Sequence, residues 1–440
     1  MTAALNEENM SPKLMKVAEV AKRDSSARFY SLAYLIDEDM LARAFHRVRR
    51  GAAVGVDGVT KGEYGRGLGE KLRDLRGRMK AGTYRHQPIR RVHIPKESGK
   101  TRPIGIPSVE DKIVQGALME VMNAIYEQDF LDCSYGFRPG RGAHDALRVL
   151  DRAAYKGEAN WVLEADIKSY FDSIDRKELA EMLRRRIADG ALMRLVGKCL
   201  RAGVLEGEQY SEPEYGTPQG SVLSPLLGNI YLHYALDEWF NREVKPRMKG
   251  AAHLIRYADD FIVAFERKDD AERVMEVLPK RLGRYGLELH PDKTRLVPFR
   301  PPRHGGEGGR PGTFDFLGFT AYWRRTRNGK WVPQLKTRCG RLRRALKAVA
   351  ERCRSHRHDS VKDQHATLCS KIQGHINYFG VNGNYRSLAA LVHKAERIWF
   401  KWLNRRSQRA SKTWEQFQDM LRDFPLPRPR IVVRLWAGAT

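Results

Sequence analysis

Two short apolar runs, Leu254-Ile255-Arg256-Tyr257 and Phe261-Ile262-Val263-Ala264-Phe265, are separated only by Ala258-Asp259-Asp260. Runs of this length and composition read as strands, and so short a break makes them a hairpin with two carboxylates at its tip. Neighbouring carboxylates beside buried strands are costly, because each loses hydration and repels the other unless a cation neutralises them. A hard divalent ion such as Mg²⁺ takes oxygen ligands and suits such a pair. A second strand must then supply another acid, and Asp166, near the end of the apolar stretch WVLEADI (161–167), is the donor. Two ions about 3.5–4 Å apart, bridged by such acids, carry out phosphoryl transfer. A solvated Asp-Asp turn is the plain alternative for the dipeptide taken alone.

Charge points to a polyanionic partner. The chain of 440 residues has a net charge of +27, and residues 321–440 hold 27 Lys and Arg against 7 Asp and Glu. A basic C-terminal third on a nearly balanced body is the pattern of a binding module joined to a unit that does chemistry. Aromatic residues are mixed into this region (Trp323, Trp331, Tyr378, Phe379, Tyr385, Trp399, Phe400 and Trp402). Arg beside aromatics grips phosphates and stacks bases, although several of these rings must belong to a core. No apolar run approaches a membrane span, and MTAALNEENM at the start carries no secretory signal. Five cysteines without a close pair exclude a disulfide scaffold and suit a reducing compartment. Cys353, His356, His358 and Cys369 fit no closed zinc spacing. The GKT at 99–101 tempts toward a phosphate loop, but Ile94 stands where that loop needs glycine.

Along the chain, the first 50 residues read helical, with Leu41, Ala44, Phe45 and Val48 on one face. A turn at 55–58, a helix near 62–81 and a strand at 88–95 follow. Asp175 with Glu178 predicts a helix start, as does Ser224-Pro225. The stretch RPPRHGGEGGRPG (300–312) reads as a long loop inside one domain, with the boundary placed near Pro333. Residues 337–420 read as basic helices, and FPLPRPR (424–430) as irregular. Within the first of these helices Arg338, Arg341 and Arg344 share a face, while Leu342, Leu346 and Val349 fall on another. Its first acid is Glu351, so the guanidinium groups are expected to be free for phosphates.

Taken in order, the motifs GVDGVT (55–60), HIPKESGKTRPIGIPSVEDKIVQ (93–115), CSYGFRPGRGAHDAL (133–147), ADIKSYFDSID (165–175), GTPQGSVLSPLLGNIYL (216–232), RYADDFIVAF (256–265), GLELHPDKT (286–294) and FDFLGF (314–319) form one series. This series resembles the bacterial group II intron reverse transcriptases and maturases, and KIQGHINYFGVNGNYRSL (371–388) resembles their maturase segment. The resemblance implies an α+β fold: a right-hand polymerase with a basic, helical maturase region. It divides the chain into a helical extension (1–50), fingers and palm (51–330), thumb or maturase region (331–400) and a short basic nucleic-acid-contacting tail (401–440). It implies two Mg²⁺ ions held by Asp166 and Asp259 with the Ile167 carbonyl, and Asp260 completing the catalytic acids. It places Lys96 and Arg102 on the triphosphate, with Lys100 a competing candidate, and Phe171 under the incoming sugar, where its ring excludes a 2′-hydroxyl. Gln219 falls near the nascent base pair and Lys293 near the triphosphate or primer end.

The activity so implied is RNA-directed DNA synthesis from deoxynucleoside triphosphates on an RNA template and DNA primer or target. With it comes binding of the parent group II intron RNA, which assists splicing and mobility by target-primed reverse transcription. Arg338, Arg341, Arg344, Lys371 and Arg386 are the candidate RNA contacts. Neither an endonuclease nor a membrane partner is expected, and the implied location is the bacterial cytoplasm or nucleoid. Two other readings share these motifs: a reverse transcriptase recruited to host repair or defence, and a splicing maturase without polymerase activity. Intact Asp166, Asp259, Asp260, Lys96 and Arg102 speak against the latter.

Overall fold

The computed structural model describes residues 10–95, 101–207, 209–211, 215–217, 220–302, 311–407 and 411–435. Its strands are β1 (Ile89–Pro95), β2 (Thr101–Ile106), β3 (Trp161–Asp166), β4 (Val204–Glu206), β5 (Gln209–Ser211), β6 (Ala252–Tyr257), β7 (Asp260–Phe265), β8 (Arg295–Pro298), β9 (Phe314–Phe316), β10 (Phe319–Arg325) and β11 (Trp331–Thr337). They form three sheets, in the orders β2-β1-β4-β5, β6-β7-β3-β8 and β11-β10-β9. Helices surround them, so the fold is mixed α+β.

The antiparallel sheet β6-β7-β3-β8 is a partition between two cores. Leu163 and Ala165 of β3 and Phe261, Val263 and Phe265 of β7 face one core. Val162, Ile262 and Ala264, one residue out of step, face the other. Successive side chains of a strand point to opposite faces, so a sheet covered on both sides needs apolar residues at every position. That is why the two runs of the hairpin read as uninterrupted rather than alternating.

The first core is organised by the helix Val109–Asp129, buried on nearly every side. Helices Pro12–Arg23 and Glu38–Arg47 pack against it. Three ion pairs, centred on the buried Glu120 and Arg186, join these pieces. Glu120, with no exposed side-chain surface, takes Arg43 at 2.6 Å and also Arg47. Arg186 reaches Asp129 at 3.0 Å and donates to the carbonyls of Asp24 and Ala27. Residues 10–50 therefore belong to this core.

The second core lies between the other face of the sheet, the helix Ala143–Tyr155, the sheet β9–β11 and the helices Cys339–Ser355, Val361–Phe379, Tyr385–Leu403 and Trp414–Asp423. Trp399 is completely buried there, and its indole N–H donates to Gln364 Oε1 at 2.9 Å. Gln364 Nε2 in turn donates to the carbonyls of His356, Arg357 and Asp359, closing the end of the preceding helix. Asn384 pins the bend between two helices, accepting from Thr337 N and donating to Thr337 Oγ1 and the Phe379 carbonyl. The final segment is irregular but fastened: Val432 and Val433 donate to the Gly380 carbonyl, and Leu435 to Asn382. Pro333, near which the sequence places a boundary, lies inside β11 opposite Trp323. Residues 303–310 fall outside the described residues; on either side of them, Gly312 donates to the Pro298 carbonyl at 2.9 Å.

Asp151 is buried on the helix Ala143–Tyr155, with no hydrogen-bond partner among the described residues, and desolvation pushes its pKa up to about 6. The folded form therefore holds a proton, between pH 3.8 and about 6, that the unfolded chain has released. Stability from this group is present at low pH and lost as pH rises through 6, so at pH 7 the carboxylate is a net cost. Asp151→Asn is expected to stabilise the protein by about 1–3 kcal/mol at pH 7 and by much less near pH 4. Urea unfolding at the two pH values checks this; an equal effect at both would refute the cause.

Candidate active site

The site is built at the end of the central sheet. Asp166, last in β3, lies directly opposite Asp260, first in β7. Asp260 also pairs with Tyr257, which leaves Ala258 and Asp259 as a two-residue turn. Ala258 has φ +57°, the left-handed region, as a turn with positive φ at its first central residue requires. Glycine is the usual residue there, and a side chain costs roughly 1–2 kcal/mol of backbone strain. The turn lifts Asp259 toward the other two acids. Burial, followed by the charge of Asp166, raises the Asp259 pKa, while Arg102 and Arg256 oppose the rise. Asp260 is pushed up to about 6, by desolvation and then by Asp259 and Asp166. Since Asp260 still shows surface to water, the crowding of like charges is the firmer cause.

Cations line the rim. Lys293 Nζ lies 2.5 Å from Asp166 Oδ2. It is brought there by the segment 288–290, which pairs with the strand end: Lys168 N donates to the Glu288 carbonyl and His290 N to the Asp166 carbonyl, at 2.8 and 2.7 Å. Those bonds straddle Ile167 and leave its carbonyl out of the pairing. Arg102, on β2 opposite Ile94, acts on Asp259 from the sheet above. Lys96, Lys100 and Gln219 lie outside the described residues.

The loop around Gln219 is nevertheless fixed on both sides. Thr217 N donates to the Phe171 carbonyl at 2.8 Å, and Gly216 N to the Ile174 carbonyl. Gly220 (φ +103°) sits so close to β2 that a Cβ would come within 2.5 Å of the Gly105 carbonyl. Phe171 is half-buried on the short helix Tyr170–Ser173, between Tyr170 and Gly228. The described residues on either side of Gln219 thus touch Phe171 and β2, the strand that carries Arg102. Sequence reasoning passed over Gln115, at the end of the motif 93–115. Its Oε1 accepts from Ser221 Oγ and Val222 N, and its Nε2 meets His86 Nε2. Its spacing carried no such signal, because its partners are 29 to 107 residues away.

The basic residues are less uniform than their spacing predicts. Arg338 is not free: Asp315 of β9 takes it at 2.9 Å, an acid remote in sequence that local reasoning could not supply. Arg341 turns toward the acids; a Cβ on Gly318 would lie 3.5 Å from its Nε, and its charge acts on Asp260. Arg344 is exposed on the same helix, and Lys371 and Arg386 are exposed on the two that follow. Of the aromatics, Phe379 and Trp399 are core and Tyr385 is exposed.

Among the described residues, no three His, Cys, Asp or Glu side chains already close into an ion cage. Mg²⁺ keeps several water or phosphate ligands, so two raised carboxylates and a third beside them suit it without such a cage. No helix in the described residues is long and apolar enough to cross a membrane.

Comparison with known proteins gives the same direction. The profile of the family described as "Reverse transcriptase (RNA-dependent DNA polymerase)" matches residues 94–321. Protein YkfC of Escherichia coli is 35% identical over 364 residues, 73% of this chain and 92% of YkfC. The group II intron-encoded protein LtrA of Lactococcus lactis is 36% identical over 260 residues, 56% of this chain but 43% of LtrA. A 91 kDa protein in a cob intron of Schizosaccharomyces pombe is 38% identical over 206 residues, 47% of this chain and 25% of that protein. The chain thus aligns with less than half of the length of the last two. Half of its residues lie within the family profile and most of YkfC aligns with it, so the chain belongs to the reverse transcriptases, RNA-dependent DNA polymerases, of the bacterial group II intron type.

Proposed function

We propose that the sheet end bearing Asp166, Asp259 and Asp260 is the polymerase centre of a right-handed hand. In this reading the sheet β6-β7-β3-β8 is the palm, the hairpin β1–β2 belongs to the fingers, and the helices after β11 form a thumb and maturase region. One observation carries the reading: Asp166 faces Asp260 across two paired strands, with Asp259 at the strained tip between them. Asp166, Asp259 and the Ile167 carbonyl would hold two Mg²⁺ ions, with Asp260 beside them. When bound, Mg²⁺ supplies the Lewis acidity that activates a primer 3′-hydroxyl and stabilises the departing pyrophosphate.

The residues around the acids divide the remaining work. Arg102 and Lys96 grip the triphosphate, Arg through a bidentate fork. Lys293 holds Asp166 in place before substrate arrives and lies near the triphosphate or primer end. The Phe171 ring closes the space beside the sugar, and Gln219 lies by the nascent pair. The partners are an RNA template, a DNA primer or target, deoxynucleoside triphosphates and the parent intron RNA. The intron partnership and target-primed mobility rest on similarity to LtrA, a protein named for its group II intron. A bacterial cytoplasmic or nucleoid location follows from those partners.

Purified protein given an RNA template, a DNA primer, deoxynucleotides and Mg²⁺ is expected to extend the primer, and EDTA to stop it. Absence of extension on RNA with metal present would reject the reading.

RNA affinity is assigned to the exposed basic helices. The double variant Lys371→Ala/Arg386→Ala is expected to flatten the plot of log affinity against log salt by roughly 0.7–0.9 for each phosphate that the variant no longer neutralises. Arg338→Ala should leave that slope unchanged, because Asp315 already engages its guanidinium. Filter binding across a salt series decides the assignment, and a double variant with the wild-type slope would move the RNA face elsewhere.

A further inference from the structure

Arg256 precedes the acidic turn by two residues and has no exposed surface. A buried guanidinium needs a partner for each of its five N–H groups, and this one has them all. Nε and Nη2 take the two oxygens of Asp237, at 2.8 and 2.5 Å. The second Nη2 proton goes to Ser134 Oγ at 2.8 Å. Nη1 donates to Asn229 Oδ1 at 2.9 Å and to the Ala258 carbonyl at 3.0 Å. The last of these bonds lies on the strained residue that presents Asp259.

The same network clamps the turn from its other side. Asn229 Nδ2 donates to the Gly136 carbonyl at 2.7 Å. Gly136 is pressed onto the turn so closely that a Cβ would come within 2.4 Å of Ala258 N. Arg256 N and O also pair with Cys133 and Tyr135, at 2.8 and 2.9 Å. Asn229 and Asp237 are eight residues apart, an offset of about 80° on an α-helix. The wider π turn at His233–Asp237 takes up that offset, so both side chains reach one guanidinium.

We infer that Arg256 is a positioning residue: with Asp237 and Asn229 it holds Ala258 in the left-handed conformation and so sets Asp259 for divalent-metal binding. The inference rests on the reading of Asp259 as a metal ligand. Groups that orient a metal's ligands typically matter about 10–100-fold for affinity or activity. Strain of the kind at Ala258 persists only where the surroundings over-determine it, and here a backbone contact and a side-chain bond converge on one residue.

The test compares full-length wild type, Arg256→Lys and Asn229→Ala. Lysine keeps the charge opposite Asp237, but with three donors on one nitrogen it cannot serve the five acceptors that the arginine fork spans. Primer extension is measured against Mg²⁺, Mn²⁺ binding is followed by electron paramagnetic resonance, and folding by circular dichroism. For folded Arg256→Lys, the Mg²⁺ giving half-maximal rate is expected to rise about tenfold and Mn²⁺ affinity to fall similarly. The KM for deoxynucleotide should stay within about threefold of wild type. A purely structural role would lower the amount of active protein without moving either metal midpoint, and wild-type midpoints in folded Arg256→Lys would overturn the inference. Should that variant fail to fold, Asn229→Ala decides by the same midpoints: a shift supports the inference, and wild-type values overturn it. Asp259→Ala, run alongside, tests the underlying reading separately, since extension and Mn²⁺ binding surviving in it would reject Asp259 as a ligand whatever the others do.

Discussion

Asp259→Ala is expected to lower primer extension by on the order of 10³-fold or more, while folding and RNA affinity stay close to wild type. The loss is large because the substitution removes a charge at the place where phosphoryl transfer needs a cation held. The fold should tolerate it, because Asp259 sits on a turn and contributes nothing to either apolar core. Its carboxylate is destabilised in the folded state by burial and by Asp166, so its removal relieves repulsion rather than breaking a favourable contact. Single-nucleotide extension, thermal unfolding and filter binding on one preparation check all three parts. A variant that extends primers within tenfold of wild type would remove Asp259 from the reaction.

Phe171→Ala is expected to narrow the preference for deoxynucleotides over ribonucleotides by roughly 10²-fold. The half-buried ring is held in place from several directions. Its carbonyl receives Thr217 N, its side chain meets Tyr170 with ring centroids 5.2 Å apart, and a Cβ on Gly228 would lie 3.1 Å from its edge. A ring so confined cannot swing aside for a 2′-hydroxyl, whereas alanine leaves the space open. Some loss of overall rate should accompany the change, because the ring also packs against the first core. The ratio of kcat/KM for the two sugars isolates the effect from that general loss. An unchanged ratio would make Phe171 a packing residue only.

Much of the site was legible because its signals are local. The hairpin follows from two apolar runs and a short break, and the acids are adjacent or end a strand, so their place at a sheet end needs no distant information. The helix starts at 176 and 224 and the basic character of the last third were legible for the same reason, whereas the α+β fold was expected from the resemblance. The need for an acid from a second strand joined Asp166 to the hairpin, and the order of the motifs pointed the same way.

Long-range pairing was not legible. Arg338 sits in a stretch whose first acid is Glu351, yet Asp315 neutralises it across a sheet. Arg341 shares a helix face with it by spacing, yet it lies beside Gly318 between β9 and β10 and its charge acts on Asp260. Arg256 looks like one charge in an apolar strand, and its five side-chain hydrogen bonds reach four residues at positions from 134 to 258.

The sequence by itself determined the short segments, the hairpin with its two acids and the strand that ends at Asp166 among them, since those depend on residue type and on periods of two and 3.6. Only the tertiary structure decided which charges are spent on one another, that the central sheet divides two cores, and what holds the acidic turn against its own strain. Such contacts join residues from 19 to 122 positions apart, beyond any helix or strand period, and a linear pattern holds no term for that distance.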